Sequence, residues 1–208
     1  MEKEFHHTKL NAFANSIRNI LHYTKQKFKD VSHDFVIDPN ENTKTTTLPH
    51  DGFALYKEGD RSLNQSLAIA KYVARGTSLI PDDPWEQAVI ENIVYTIHEY
   101  WSKVVAYILE KDINKKRAMK QKLIEETIDY YFLKFEQHLK ENGGFFIGKL
   151  TWVEFVLCGL VEASDLFFGI ELAKRYPMVA AVVDIIRNLP GVKEHIATRG
   201  PNESQKLE

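Results

Sequence analysis

The sequence has a single cysteine and no long apolar run. Cys158 is the one cysteine among 208 residues, which excludes a disulfide within the chain. It lies in the apolar segment 155–160, so we expect a buried and unreactive thiol. No stretch is apolar for long enough to span a bilayer, and residues 1–7 lack the apolar core of a signal peptide. We therefore expect no membrane partner and a cytoplasmic location.

An excess of charge of one sign is also missing. The 27 Lys and Arg residues nearly balance the 29 Asp and Glu residues, and the formal net charge is -2. No stripe of cationic residues is long enough to follow a phosphate backbone, so the sequence predicts no nucleic-acid partner. The hydrophobic share of 44% is enough for a sizeable core, which argues against a disordered chain.

The hydrophobic periodicity of residues 1–80 alternates between that of strands and that of helices. The predicted elements are a strand at 3–8, a helix at 12–23, a strand at 31–37, a hairpin of strands 53–57 and 61–63, and a helix from Gln65. A polar loop at 38–47 precedes the hairpin. This order predicts an α/β domain.

Beyond Pro84 the apolar spacing is helical throughout. The predicted helices are one along the stripe 90–108, one at 124–139, one opened by a Thr151–Glu154 capping box, and shorter ones at 171–187 and 191–198. We place the boundary between the two halves at 80–84. The sequence thus predicts an α/β domain at 1–80 and an all-helical domain at 84–208.

Two segments resemble the sigma-like branch of the cytosolic glutathione transferases. They are 63–72, which reads LNQSLAIAKY, and 147–155, which reads IGKLTWVEF. Arg18 and the segment 21–30 also align with that family. The resemblance implies a thioredoxin-like first domain and an all-α second domain. It also implies a homodimer, which agrees with the exposure that we expect for Tyr95, His98 and Glu99 on the long helix.

The resemblance implies a glutathione site with four positions in this chain, which are Phe53, Gln65, Ser66 and Glu99. Gln65 and Ser66 open a helix, where unpaired amides and the helix dipole favour the glutamyl carboxylate. Phe53 begins the strand whose backbone faces the cysteinyl group, and Glu99 falls on the acidic position that the partner subunit contributes. An acceptor pocket for a small hydrophobic ligand is implied at Leu10, Trp101 and Val156, although Val156 is also an ordinary core residue.

The position of the family's catalytic tyrosine falls on His7. An imidazole can donate a hydrogen bond to a thiolate or accept the thiol proton, so His7 is the candidate catalytic residue. A structural role on the strand is the alternative. His6 should point to the opposite face, so the two histidines do not form a metal clamp, and the sequence predicts no metal site.

Several other positions of the family's site are changed. The glycyl-binding tryptophan and lysine have no clear counterpart in 38–47, the next lysine falls on Gly52, and the cis-proline falls on Ala54. We therefore expect a transferase-like protein with weak or lost conjugating activity and a ligand-binding or structural role, as in the lens crystallins of this branch. The alternative is an active transferase or isomerase that uses His7. A third hypothesis is an interaction module like the transferase-like domains of translation factors.

Overall fold

The computed structural model describes residues 1–8, 12–33, 35–37, 44–46 and 54–199. The side chains of Ala12 and of the two short strands within 35–46 are not described. No helix in the described part of the chain is both long enough and apolar enough to cross a membrane.

The described strands of the first half form two sheets. They are β1 Lys3–Thr8, β2 Lys29–His33, β3 Phe35–Ile37, β4 Lys44–Thr46, β5 Ala54–Glu58 and β6 Arg61–Asn64. The larger sheet has the order β2-β1-β5-β6, in which β1 is parallel to β2 and antiparallel to β5. The smaller sheet is the antiparallel pair of β3 and β4. The predicted strand at 31–37 is therefore split in two, whereas the hairpin is confirmed.

Eight α-helices lie in the described ranges. They are α1 Ala12–Tyr23, α2 Ser66–Ala74, α3 Pro84–Leu109, α4 Ile113–Lys122, α5 Ile128–Glu141, α6 Trp152–Phe168, α7 Pro177–Asn188 and α8 Val192–Arg199. A π-helical segment at Leu123–Thr127 joins α4 to α5, so the predicted second long helix begins earlier and contains an irregular turn. A 3₁₀ turn at Leu172–Arg175 precedes α7, where the sequence predicted α-helix.

The core runs without a break from the sheet into the helical half. Phe5 on β1 and Ile17 on α1 are fully buried and belong to the same cluster as Phe155 and Leu160 on α6. Helix α1 packs against α2, α6 and α8, so three of its sides are covered. The placement of a domain boundary at 80–84 stays a prediction.

The predicted capping box at the start of α6 is confirmed. The Thr151 hydroxyl accepts from the Val153 amide at 3.4 Å, and the Glu154 carboxylate accepts from the Thr151 amide at 2.8 Å. Glu154 also accepts from the Phe146 amide at 3.0 Å. The Trp152 amide donates to the carbonyl of Leu79 at 3.2 Å, which attaches this helix end to the segment after α2.

Candidate functional site

The register of the larger sheet brings two predicted site positions, His7 and Gln65, to one of its ends. His7 on β1 pairs with Ala54, the first residue of β5. Leu55 pairs with Asn64, the last residue of β6, and Gln65 follows it directly. Because neighbouring strands lie about 4.8 Å apart, His7 and Gln65 are separated by roughly two strand spacings. The end of the sheet where β1 and β6 stop is therefore the candidate site.

Gln65 has a backbone conformation that is rare for a residue with a side chain. Its φ is 73° and its ψ is 107°, and Lys25 is the other non-glycine residue with positive φ in the described ranges. Its side chain is exposed and does not cap α2, although its carbonyl accepts from the Ile69 amide at 2.9 Å. A strained residue held at a helix start is typical of ligand sites, where the first-turn amides favour an anion.

The His7 ring points into the protein interior. Its side chain is 7% exposed, and its Nε2 atom lies 3.0 Å from Oδ1 of Asp30 on β2. That contact is at ion-pair distance, although its alignment falls short of a regular hydrogen bond. The Nδ1 atom lies 3.3 Å from the carbonyl oxygen of Thr8, and the ring stacks on Phe5 with centroids 5.4 Å apart. Both nitrogens thus approach acceptors of the protein itself.

Asp30 connects His7 to helix α1. Its second oxygen lies 2.7 Å from the Arg18 guanidinium. Burial alone would raise the pKa of this carboxyl, but the contact with His7 and the charge of Arg18 lower it below its ordinary value. Asp30 is therefore ionised near neutral pH and holds two basic side chains. The sequence aligns Arg18 with the family but does not predict that Asp30 is its partner.

A second buried carboxylate lies on α6. The Glu162 side chain is 2% exposed and binds Arg187 at 3.2 Å and Arg199 at 3.3 Å. Asn15 on α1 donates to the same carboxylate at 3.3 Å. Glu162 thus ties α1, α7 and α8 together. A carboxylate within the apolar run of α6 was the sequence signal that could have identified it.

Two histidine rings stack where α1 meets α8. His22 and His195 have centroids 4.1 Å apart with an angle of 16° between the rings. Burial and the positive charge of Arg18 lower the pKa of His22. Burial, Arg18, His22 and Arg199 lower the pKa of His195 to about 3. Both rings are neutral near pH 7, which prevents charge repulsion beside the two arginines.

The predicted acceptor pocket is described only in part, since Leu10 lies outside the described residues, as does Phe53 of the predicted glutathione site. Trp101 is half-buried and contacts Phe13 at the start of α1, with centroids 5.8 Å apart. This contact places Trp101 near the segment that leaves β1. Val156 has no exposed surface and packs in the α6 core.

Glu99 lies on the exposed side of α3. Burial raises the pKa of Tyr131 on α5, and the negative charge of Glu99 raises it further. Glu99, Lys103 and Tyr130 are among the residues that line an open groove of about 640 Å³ beside the π-helical turn. Tyr95 is 69% exposed and His98 is also exposed, so the predicted exposure of this face of α3 is confirmed.

The described residues contain no group of three or more His, Cys, Asp or Glu side chains that could hold a metal ion. Cys158 has no exposed surface, and burial raises the pKa of its thiol well above the ordinary value. The prediction of a buried thiol is therefore confirmed, and Cys158 is not available as a nucleophile at neutral pH.

Known proteins resemble this chain in both sequence and fold. Residues 98–199 match a family model described as the C-terminal domain of glutathione S-transferase. Glutathione S-transferase S1 of Drosophila melanogaster is 28% identical over 197 residues, which cover 93% of this chain and 77% of the relative. Hematopoietic prostaglandin D synthase of Gallus gallus is 27% identical over 159 residues, which cover 74% of this chain and 75% of the relative.

The fold agrees with the sequence comparisons. The structure of prostaglandin synthase D of Nilaparvata lugens superposes with a TM-score of 0.86 at 24% identity, covering 97% of this chain and 100% of that chain. The small mixed sheet followed by helices is thus the glutathione transferase fold, as the sequence predicted. Residues 98–199 thus form a glutathione S-transferase C-terminal domain, and the chain as a whole is similar to members of that superfamily.

Proposed function

We propose that this chain is a sigma-like member of the superfamily with weak or lost conjugating activity, and that it binds a ligand or serves a structural role. The surroundings of His7 carry this proposal. Conjugation needs a donor beside the glutathione sulfur that stabilises the thiolate. The His7 ring is 7% exposed and its Nε2 lies 3.0 Å from the Asp30 carboxylate, so it is engaged inside the protein rather than directed at a ligand.

The start of α2 supports some glutathione binding. Gln65 keeps a strained backbone at the helix N-terminus, where a carboxylate is favoured. Ser66 is the first residue of that helix. We therefore propose a low-affinity glutathione site that uses Gln65 and Ser66, with the backbone of Phe53 beside it. The same feature favours the second candidate function, an active transferase or isomerase in which His7 replaces tyrosine.

Calorimetry with glutathione, followed by conjugation to chloro-dinitrobenzene, separates the two functions. We expect millimolar or undetectable binding and turnover close to the uncatalysed rate. His7→Ala should then leave any residual binding nearly unchanged. Tight binding together with turnover that disappears in His7→Ala would establish the active enzyme instead.

Restoring tyrosine tests the same conclusion from the other direction. If one hydrogen bond to the thiolate were the only deficit, His7→Tyr would recover about 1.5 to 3 kcal/mol, or roughly tenfold to hundredfold in rate. We expect a much smaller gain, because a donor is useful only when the thiol is already held in place. A hundredfold gain in the tyrosine variant would contradict this view.

We also propose that the chain forms a homodimer in the cytosol. The exposed face of α3, with Tyr95, His98 and Glu99, supports this assembly, because exposed aromatic side chains in a row are typical of interfaces. Glu99 would then face the glutathione site of the partner subunit. Sedimentation at several protein concentrations tests the assembly, and a monomeric mass throughout would refute it.

A further inference from the structure

A second histidine pair lies on the face of β1 opposite to His7. Successive side chains of a strand point to opposite faces, and His6 accordingly has none of the contacts of His7. Its Nδ1 atom lies 3.0 Å from Nε2 of His33 on β2, and its Nε2 atom lies 2.9 Å from the Glu4 carboxylate. The sequence prediction considered His6 only with His7 and missed this cross-strand partner.

The register of the two strands explains how the rings meet. His6 pairs with Val31 in the parallel ladder, and His33 pairs with Thr8. His33 is therefore two residues beyond the direct partner of His6 and lies on the same face, as a diagonal neighbour. The two rings stack with centroids 5.2 Å apart, and the His6 side chain is 13% exposed.

The hydrogen bonds assign the proton positions. An ionised carboxylate only accepts, so the proton between His6 and Glu4 belongs to Nε2 of His6. The Glu4 carboxylate is also paired with the Lys29 ammonium at 3.3 Å, as expected of a charged acceptor. With its Nε2 hydrogen bonded to Glu4, His6 presents Nδ1 to Nε2 of His33.

We propose that His6 and His33 form a bidentate site for a divalent transition-metal ion that prefers imidazole ligands, such as Zn²⁺ or Cu²⁺. Two imidazole nitrogens on a tetrahedral Zn²⁺ at about 2.0 to 2.1 Å are roughly 3.3 to 3.4 Å apart. The observed separation of 3.0 Å needs only a small opening to accept the ion. Binding displaces the hydrogen that lies between Nδ1 of His6 and Nε2 of His33, and this proton is released to solvent as the ion binds.

Glu4 supplies the support that such a ligand needs. A metal-binding histidine usually donates its other ring N–H to a carboxylate, which fixes the ring and its tautomer. Glu4 holds His6 in this way at 2.9 Å. Two protein ligands leave the remaining coordination positions to solvent, so the bound ion should exchange readily. The site bridges β1 and the edge strand β2, and it is independent of the proposed glutathione site.

Titration of the full chain with ZnCl₂ or CuCl₂ in a calorimeter tests the site. We expect one ion per chain, affinity at least tenfold weaker in His6→Gln and in His33→Gln, and affinity weaker by about 10- to 100-fold in Glu4→Gln. His138→Gln is the matched control, since that ring lies on α5 against Phe146, and it should bind as the wild type does. Wild-type affinity in His6→Gln would overturn the proposal.

A spectroscopic measurement on the unmodified protein keeps the test independent of folding in the variants. With one equivalent of Cu²⁺, electron paramagnetic resonance should show coupling to two imidazole nitrogens. Coupling to one nitrogen or to none would overturn the proposal, as would the absence of binding by the wild type. Circular dichroism of each metal-free variant establishes that a lost site is not a lost fold.

Discussion

Replacing His195 by phenylalanine should change how stability depends on pH. The ring is 6% exposed and stacks on His22, while Arg18 and Arg199 lie near it. Phenylalanine keeps an aromatic ring in that position and removes the titrating nitrogens. The variant therefore separates the effect of protonation from the effect of packing.

The size of the effect follows from the pKa of His195, which is about 3 in the folded chain against an ordinary value of 6.5. Between those values the unfolded chain binds more protons than the folded chain, so stability falls as the pH falls. The full contribution of His195 to the free energy of unfolding is present above the unfolded pKa of 6.5. Between pH 7 and pH 5 the loss amounts to about 2 kcal/mol for this one group.

Asp165 opposes this trend in the same pH range, since burial raises its pKa to about 6. Its carboxyl is protonated in the folded chain before it is protonated in the unfolded chain, which favours folding as the pH falls. Because both proteins carry Asp165, its contribution cancels in the comparison between wild type and His195→Phe.

Urea unfolding followed by tryptophan fluorescence, at pH 7 and pH 5 and at one protein concentration, measures the difference. From pH 7 to pH 5 the wild type should lose about 2 kcal/mol more than His195→Phe loses. Parallel losses in the two proteins would mean that His195 is not kept neutral by its position, and the argument would fail.

Three further changes test other parts of the structure. Thr151→Ala removes the α6 cap and should lower the free energy of unfolding by about 1 kcal/mol, so an unchanged melting temperature would argue against the cap. Glu99→Lys should weaken dimerisation or ligand binding, measured by sedimentation and calorimetry, more than it affects folding of the subunit; a folding defect alone would contradict the surface role. Gly191→Ala places a Cβ 2.5 Å from the His22 carbonyl oxygen and should lower the free energy of unfolding by about 2 to 3 kcal/mol. Gly76→Ala, whose Cβ meets no atom within 4 Å, should lower it by less, and equal losses in the two variants would refute this packing.

The fold could be predicted because its signals are local. The alternation of β1, the stripe of α3 and the Thr151–Glu154 cap each lie within a short segment and need no tertiary information. The π-helical turn could not be predicted in this way, since Leu123–Thr127 continues the helical spacing on both sides. The split of the strand after His33 likewise leaves no clear pattern in the sequence.

The polar interior could not be predicted, because it depends on which faces of α1 are covered. Ser16 and Asn19 are polar, yet they have no exposed surface. The helix packs against α2, α6 and α8 at once, so polar as well as apolar residues are buried. The partners His33 and Glu162 are distant in sequence, and only the strand register and helix packing bring them to His6 and Asn15.

The same interior constrains what a tyrosine at position 7 could achieve. Asp30 contacts both His7 and Arg18, at 3.0 Å and 2.7 Å, so the imidazole is part of the link between β1, β2 and α1. A phenol in its place is longer and lacks the second nitrogen that lies near the Thr8 carbonyl. Asp30 would keep Arg18 but lose one of its two basic partners, and the larger ring would have to leave a well-packed position beside Phe5. A tyrosine that donates to a thiolate from position 7 therefore requires the interior around Asp30 to be repacked. The single substitution His7→Tyr does not provide that repacking.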